Sequence, residues 1–206
     1  MSGSFDSHPH NIGNLLGQYE PRGIVVPEFQ RGYSWEKVHV ATFWEDLLSF
    51  KKTAPKGETY FLGPIVLLPT KTEIVLLDGQ QRLATVTVLL SVLRGTARSI
   101  GNNRNMQSGH DLARDIQRDL IGKKEKGKYA LALGELDRTF FQKTIQEDPP
   151  ATQAPRLRSH NLIKNCLEFL TAAVQDEIAS LGAAKAIDDL AALQGRPRYR
   201  HNDGCY

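Results

Sequence analysis

The chain has 206 residues, 40% of them hydrophobic and 24% charged, with a formal net charge of +3. That balance supports a buried core and excludes wholesale disorder, and the mild positive charge permits a nucleic-acid partner without requiring one. Two cysteines far apart, Cys166 and Cys205, make neither a disulfide framework nor a zinc pattern and suit a reducing, cytoplasmic setting.

Residues 1–10 are polar and lack the apolar stretch of a signal peptide; His8 and His10 read as part of a tail rather than as metal ligands. Residues 11–19 read as a short helix or turn with Leu15 and Leu16 on its apolar side. The β-branched run Ile24-Val25-Val26 predicts a strand, closed by Pro27. Residues 29–35 read as a loop or a short helix entry. Ser34 is a candidate N-cap for a helix over 36–51, whose Val40, Phe43, Trp44, Leu47 and Leu48 recur at helical spacing.

After a loop over 53–58, two extended runs at 60–68 and 73–77 predict a hairpin, with Pro64 marking an edge or bulge. Both runs are apolar on both faces, which predicts helices covering the sheet. The longest apolar runs, 65–68 and 74–77, are too short to cross a bilayer, so no membrane is expected. Past Asp78-Gly79 the period changes from two to about 3.6, and Leu83, Val86, Leu89, Leu90 and Leu93 predict a helix through Arg94. Residues 101–109, rich in Asn, Ser and Gly, read as a loop. Helices are predicted at about 111–121, 137–146, 162–181 and 183–193, with connectors at 123–128 and 149–155. Cys166 falls inside the third of these as a buried residue. The composition shift near residue 100 suggests an α/β unit over 1–100 and a helical extension over 101–206.

Two short segments carry chemistry. In Asp78-Gly79-Gln80-Gln81-Arg82, a strand ends in Asp-Gly and runs into a helix start. Glycine permits a sharp turn there, and the unpaired N–H groups of a helix N-terminus favour anions. Arg82 could grip phosphate oxygens, Asp78 could hold a magnesium ion or polarise water, and Gln80 and Gln81 could donate to phosphate or orient a water. For an isolated motif, an Asp N-cap, a glycine turn and an Arg salt bridge are the better account, so this element alone is a weak signal. The absence of a glycine-rich P-loop argues against a Walker-type site.

In Pro27-Glu28-Phe29-Gln30-Arg31-Gly32-Tyr33-Ser34-Trp35, Gln30 and Arg31 are candidate phosphate contacts. Tyr33 and Trp35 could stack on a base, or the aromatic residues could anchor the next helix to the core. Between 94 and 158 Lys and Arg outnumber Asp and Glu, most densely at Lys123 and Lys124, which could follow a DNA backbone or lie in a solvated loop.

The ordered set Pro27-x-Phe29-Gln30-Arg31-x-Tyr33-x-Trp35, Phe61-Leu62-Gly63-x-Ile65-Val66 and Asp78-Gly79-Gln80-Gln81-Arg82-Leu83 resembles the N-terminal domain of GmrSD-type restriction proteins, in the ParB/sulfiredoxin-like superfamily. Leu133-x-Glu135-x-Asp137-Arg138-x-Phe140-Phe141 and Asn161-x-x-x-Asn165-Cys166-x-x-Phe169 are similar to that family's helical region, where Tyr is more usual at the position of Cys166. The resemblance implies an α+β fold: a small mixed ParB-like sheet with flanking helices, then a mainly helical extension. It implies that Asp78, Gly79, Gln80, Gln81 and Arg82, beside Gln30 and Arg31, bind and hydrolyse a nucleoside triphosphate with magnesium, often GTP or UTP in preference to ATP.

It further implies work in anti-phage defence on DNA, modified DNA included, with Arg31, Tyr33 and Trp35 of the aromatic segment as candidate DNA contacts beside Lys123 and Lys124 of the basic run. The last residues form no HNH constellation, so DNA cleavage is expected from a separate nuclease domain or subunit. A fragment, a split subunit and a stand-alone regulatory module all remain open. A non-catalytic reader of phosphorothioate or glucosylated DNA is the alternative function, and a ParB-like nuclease acting through Asp78 the third.

Overall fold

The computed structural model describes residues 15–16, 23–55, 58, 60–122 and 128–193. Among them a small mixed sheet is formed by β1 (Ile24–Val25), β2 (Val66–Pro69), β3 (Ile74–Asp78) and β4 (Leu131–Ala132), in the order β2-β3-β1-β4. β1 runs parallel to both β3 and β4, while β2 and β3 are an antiparallel hairpin. The helices are α1 (Lys37–Thr53), α2 (Gln80–Arg104), α3 (Gln107–Ile116), α4 (Glu135–Phe141), α5 (Arg158–Ile178) and α6 (Ala183–Leu193). Wide π-helical turns extend α3 over Gln117–Ile121 and α4 over Gln142–Gln146. The α+β class is as expected, and Leu15 and Leu16 are helical and buried.

The hairpin forms with a register shift between Val66 and Leu67, at the edge strand that Pro64 announces. Its first arm is shorter than expected, since residues 60–65 are irregular. Among the described residues one face of the hairpin, with Ile74 and Leu76, is buried and the other is not. Leu68 pairs with Val75 and so shares a face with Leu77, and both leucines are exposed.

Helix α2 is the spine of the domain. Its residues 83–94 are all buried, because it packs against α3, α5, α6 and both π-helical turns. The apolar runs 65–68 and 74–77 are short as read, but the longer α2 mixes apolar and polar residues in a stretch long enough to span a bilayer. Of its most apolar window, 72% is buried by the rest of the fold. One hydrophobic core runs from Leu15 to Leu193. The change of composition near residue 100 is therefore not a break in packing, and β4 from the second half completes the sheet.

The region 101–109 is a second departure. It is not a loop: α2 continues to Arg104, turns at Asn105 (φ 50°), and α3 begins at Gln107. The glycines that suggested a loop are there for close packing. A Cβ on Gly109 would lie 2.6 Å from the Ala97 carbonyl oxygen and 2.8 Å from the Gly101 nitrogen.

Because backbone atoms cannot step aside cheaply, Gly109→Ala is expected to destabilise by about 1–3 kcal/mol. Gly95, on the exposed side of α2 with nothing within 4 Å of a built Cβ, is the control. Gly95→Ala should stabilise by up to about 1 kcal/mol through helix propensity. Thermal melts of both variants check the opposite signs; equal shifts would refute the packing argument.

The first long helix is capped by Glu36, not Ser34. The Glu36 side chain accepts from the backbone of His39, and His39 Nδ1 accepts the Glu36 N–H at 3.2 Å. Ser34 is used elsewhere. Helix α5 starts four residues before the expected 162, whereas α6 has the expected bounds.

Candidate functional site

The two motif segments, 47 to 49 residues apart in sequence, are hydrogen-bonded into one unit at the N-terminus of α2. Gln30 Nε2 donates to the Leu77 carbonyl at 2.9 Å, and Gln80 Nε2 donates to the Arg31 carbonyl at 2.9 Å. Ser34 N–H donates to Gln81 Oε1 at 2.8 Å, and Gln81 Nε2 donates to the Gly32 carbonyl at 3.4 Å. The segment 30–34 lacks a regular partner of its own, so these side chains satisfy its backbone in place of a ladder.

This use revises the expected role of the glutamines. Gln80 is 6% exposed, its Nε2 donates to the opposite segment, and its Oε1 is buried without a partner, an arrangement that suits positioning the loop rather than meeting solvent. Gln81 is half-buried and keeps a second amide hydrogen beyond its bond to Gly32.

Tyr33 is also revised. Its ring is 2% exposed, which leaves no face for a base. Its hydroxyl lies 2.8 Å from Thr85 Oγ1, and burial pushes the phenol far above its ordinary range. Its N–H donates to Asp137 Oδ2 at 2.7 Å, and Asp137 Oδ1 accepts from Ser159 Oγ at 2.5 Å. The buried Asp137 thus ties the loop to α4 and α5. Gly32 leaves it room, because a Cβ there would lie 2.9 Å from Asp137 Oδ2. Cys166 lies beside Tyr33 as a buried thiol, pushed up to about 12 chiefly by burial, in keeping with the expected structural role.

Arg31 is exposed beside Phe29, which is 80% exposed. Trp35 is half-buried, stacked near His39 with centroids 6.2 Å apart. Lys123 and Lys124 lie outside the described residues.

At the turn, the N-cap of α2 is Gly79, with φ 99° and ψ 7° and no side-chain cap. Asp78 stands one residue too early to cap. Its 62%-exposed carboxylate instead pairs with Arg82 at 3.1 Å, the salt bridge that the structural account of the motif expects. A Cβ on Gly79 would come within 3.0 Å of Ile65 Cγ1, so glycine serves both the left-handed turn and the close approach of the hairpin.

Leu83 N–H closes on the Gly79 carbonyl at 3.0 Å. The N–H groups of Gln80, Gln81 and Arg82 precede the first such bond, and no acidic residue occupies this turn. The local field therefore favours an anion.

Arg82 also borders a cleft of about 350 Å³ between α1 and residues 60–62. Its guanidinium crosses Gly63, where φ is 98° and a Cβ would meet Arg82 Nη1 at 2.7 Å. Gly63→Ala is expected to push the guanidinium aside and to cost about 1–2 kcal/mol at this left-handed position. A melt should show the modest loss of stability, and an anion-binding titration a larger loss of affinity; unchanged affinity would separate Gly63 from the site.

Among the described residues no group of three or more His, Cys, Asp or Glu side chains is placed to hold a metal ion. Asp78 offers a single outward carboxylate with one oxygen on Arg82. That fits a magnesium ion that draws most of its ligands from phosphate and water, and does not fit a preformed cage.

A small mixed sheet feeding a buried helix, with two separated motifs locked together at that helix's start, defines an α+β domain with an anion-favouring strand-to-helix junction. The model of the GmrSD restriction endonuclease N-terminal domain matches residues 12–190, and the chain belongs to that family. It is accordingly a component of a restriction and defence system. No curated protein matches the chain.

Proposed function

We propose that this domain binds a nucleoside triphosphate and hydrolyses it, with magnesium, as the control element of a DNA restriction system. The observation that carries the reading is the hydrogen-bonded union of the two motif segments, which brings the backbone of Arg31 to the N-terminus of α2, where Arg82 stands.

Arg82 and Arg31 would neutralise phosphate charge, and the α2 N-terminus would hold the phosphate oxygens. Asp78 would carry the magnesium ion, which supplies charge neutralisation to the transferred phosphoryl group when bound. In hydrolysis a water oxygen would bond to the terminal phosphorus as the bond to the bridging oxygen breaks, the nucleoside diphosphate would leave with that bond's electron pair, and the water's proton would pass to an oxygen of the phosphate formed. The second amide hydrogen of Gln81 is available to orient that water. Gln80 and Asp137 would hold the loop in register. DNA, modified DNA included, and a nuclease in another domain or subunit would be the downstream partners.

The test is phosphate release from each of the four ribonucleoside triphosphates, with and without magnesium. Magnesium-dependent release supports the reading, and none from a folded sample removes hydrolysis from this chain.

A further inference from the structure

We propose that the aromatic cleft beside Arg82 is the base subsite of the triphosphate site, and that Asp46 reads the edge of the base. This rests on the triphosphate reading above and assigns the part of the nucleotide that the strand-to-helix junction does not hold.

Arg82 belongs to both places. It is the third residue of α2, ion-paired to Asp78, and it lines the cleft. A phosphate held on its guanidinium therefore has the cleft next to it. The wall is aromatic: Trp35 stacks near His39, and Tyr60 packs edge-on against Phe43 at 6.3 Å. A planar heteroaromatic ring gains by stacking on such faces whatever its identity. The volume, about 350 Å³, falls at the small end of the roughly 300–1,000 Å³ typical of small-ligand sites.

Two charges polarise the cleft. Arg82 attracts phosphate, and the Asp46 carboxylate repels it. Asp46 is close enough to Tyr60 to help raise its phenol, after the larger effect of burial. An ionised carboxylate only accepts hydrogen bonds, so near Asp46 a base edge with N–H donors is favoured over one with acceptors. The remaining polar lining, Thr42 and His39, lies on the same exposed side of α1 as Asp46.

Calorimetric titration of the whole chain with each magnesium nucleoside triphosphate, and with magnesium tripolyphosphate, tests this. The nucleotides are expected to bind at least about tenfold tighter than tripolyphosphate, the gain from one stacked base. Thr42→Trp fills the cleft from an exposed position and should erase that gain while leaving tripolyphosphate binding unchanged. Asp46→Asn, which adds a donor where only acceptors stood, should change the ranking of the four bases.

Equal binding of nucleotides and tripolyphosphate by the unaltered protein overturns the base subsite while sparing the triphosphate reading. Loss of both ligands in Thr42→Trp, or an unchanged ranking in Asp46→Asn, overturns the assignment of the residue concerned. Binding of neither ligand by the unaltered protein overturns both readings together.

Discussion

Arg82→Ala is expected to lower magnesium-dependent phosphate release by at least about 100-fold, the scale seen when a preorganised charge-stabilising donor is removed from a phosphoryl- or acyl-transfer site. The fold should barely register the change. Arg82 is 25% exposed and its partner Asp78 is 62% exposed, so their pair is a surface salt bridge worth about 0–1 kcal/mol. Turnover and stability should therefore separate.

Arg82→Lys sharpens the point. A lysine keeps the charge but loses the planar fork, and so should recover only part of the rate. Phosphate-release assays paired with thermal melts check both variants. Full turnover in Arg82→Ala would refute the proposed role, and a melt lowered by ten degrees would recast the residue as structural.

The largest effect on stability is expected at Arg94. This side chain is 1% exposed at the middle of α2. Its guanidinium donates to Ser91 Oγ, to the Ile145 carbonyl and to the Gln146 carbonyl, each at 3.1 Å, and to Gln117 Oε1. Two of these acceptors are the last carbonyls of the second π-helical turn, which as a helix end lack intrahelical donors, and a third is the side chain that opens the first. Gln146 carries the link onward by donating to the Leu131 carbonyl of β4 at 2.9 Å.

Two effects compete in Arg94→Met. Removing a buried cation relieves its desolvation, which already pushes the guanidinium down to about 10. Against that, several buried acceptors lose their donor, at about 1–3 kcal/mol each. Because the acceptors are fixed backbone and amide oxygens that the methionine cannot serve, the loss should win by about 3 kcal/mol. In a chain of this length that lowers the melting temperature by roughly 6–12 °C. A melt unchanged or raised would mean that desolvation outweighs the network.

Much of the local structure was legible in the sequence because it repeats within a few residues. The stripes of α1 and α2 follow from apolar spacing, α6 has its expected bounds, and the hairpin follows from two extended runs around a short polar turn. Boundaries failed where a residue type has two uses. Gly101 and Gly109 resemble loop residues, yet they let α2 and α3 touch. Arg94 resembles the charged end of a helix, yet it is the buried centre of one. β4 has only two residues, too few to carry a pattern, and exists because β1 offers it a parallel partner.

At the site, the ordered motifs alone identified the family, since their spacing along the chain needs no coordinates. Which of their side chains face outward was decided by tertiary packing. The Tyr33 ring turns inward to Thr85 and its backbone N–H to Asp137, partners 52 and 104 residues away. The glutamines close on the backbone of residues 31–34, while the Arg31 side chain stays exposed and Arg82 borders the cleft. His39, Asp46 and Tyr60 share one cleft with Arg82 only because α1 and residues 60–62 pack on either side of it. A chain encodes periodicity within one turn of helix or one pleat of strand, and the sequence by itself determined that much together with the family. The pairing of groups fifty or a hundred residues apart was fixed only when the elements packed, because each buried polar atom had then to find its partner across the core.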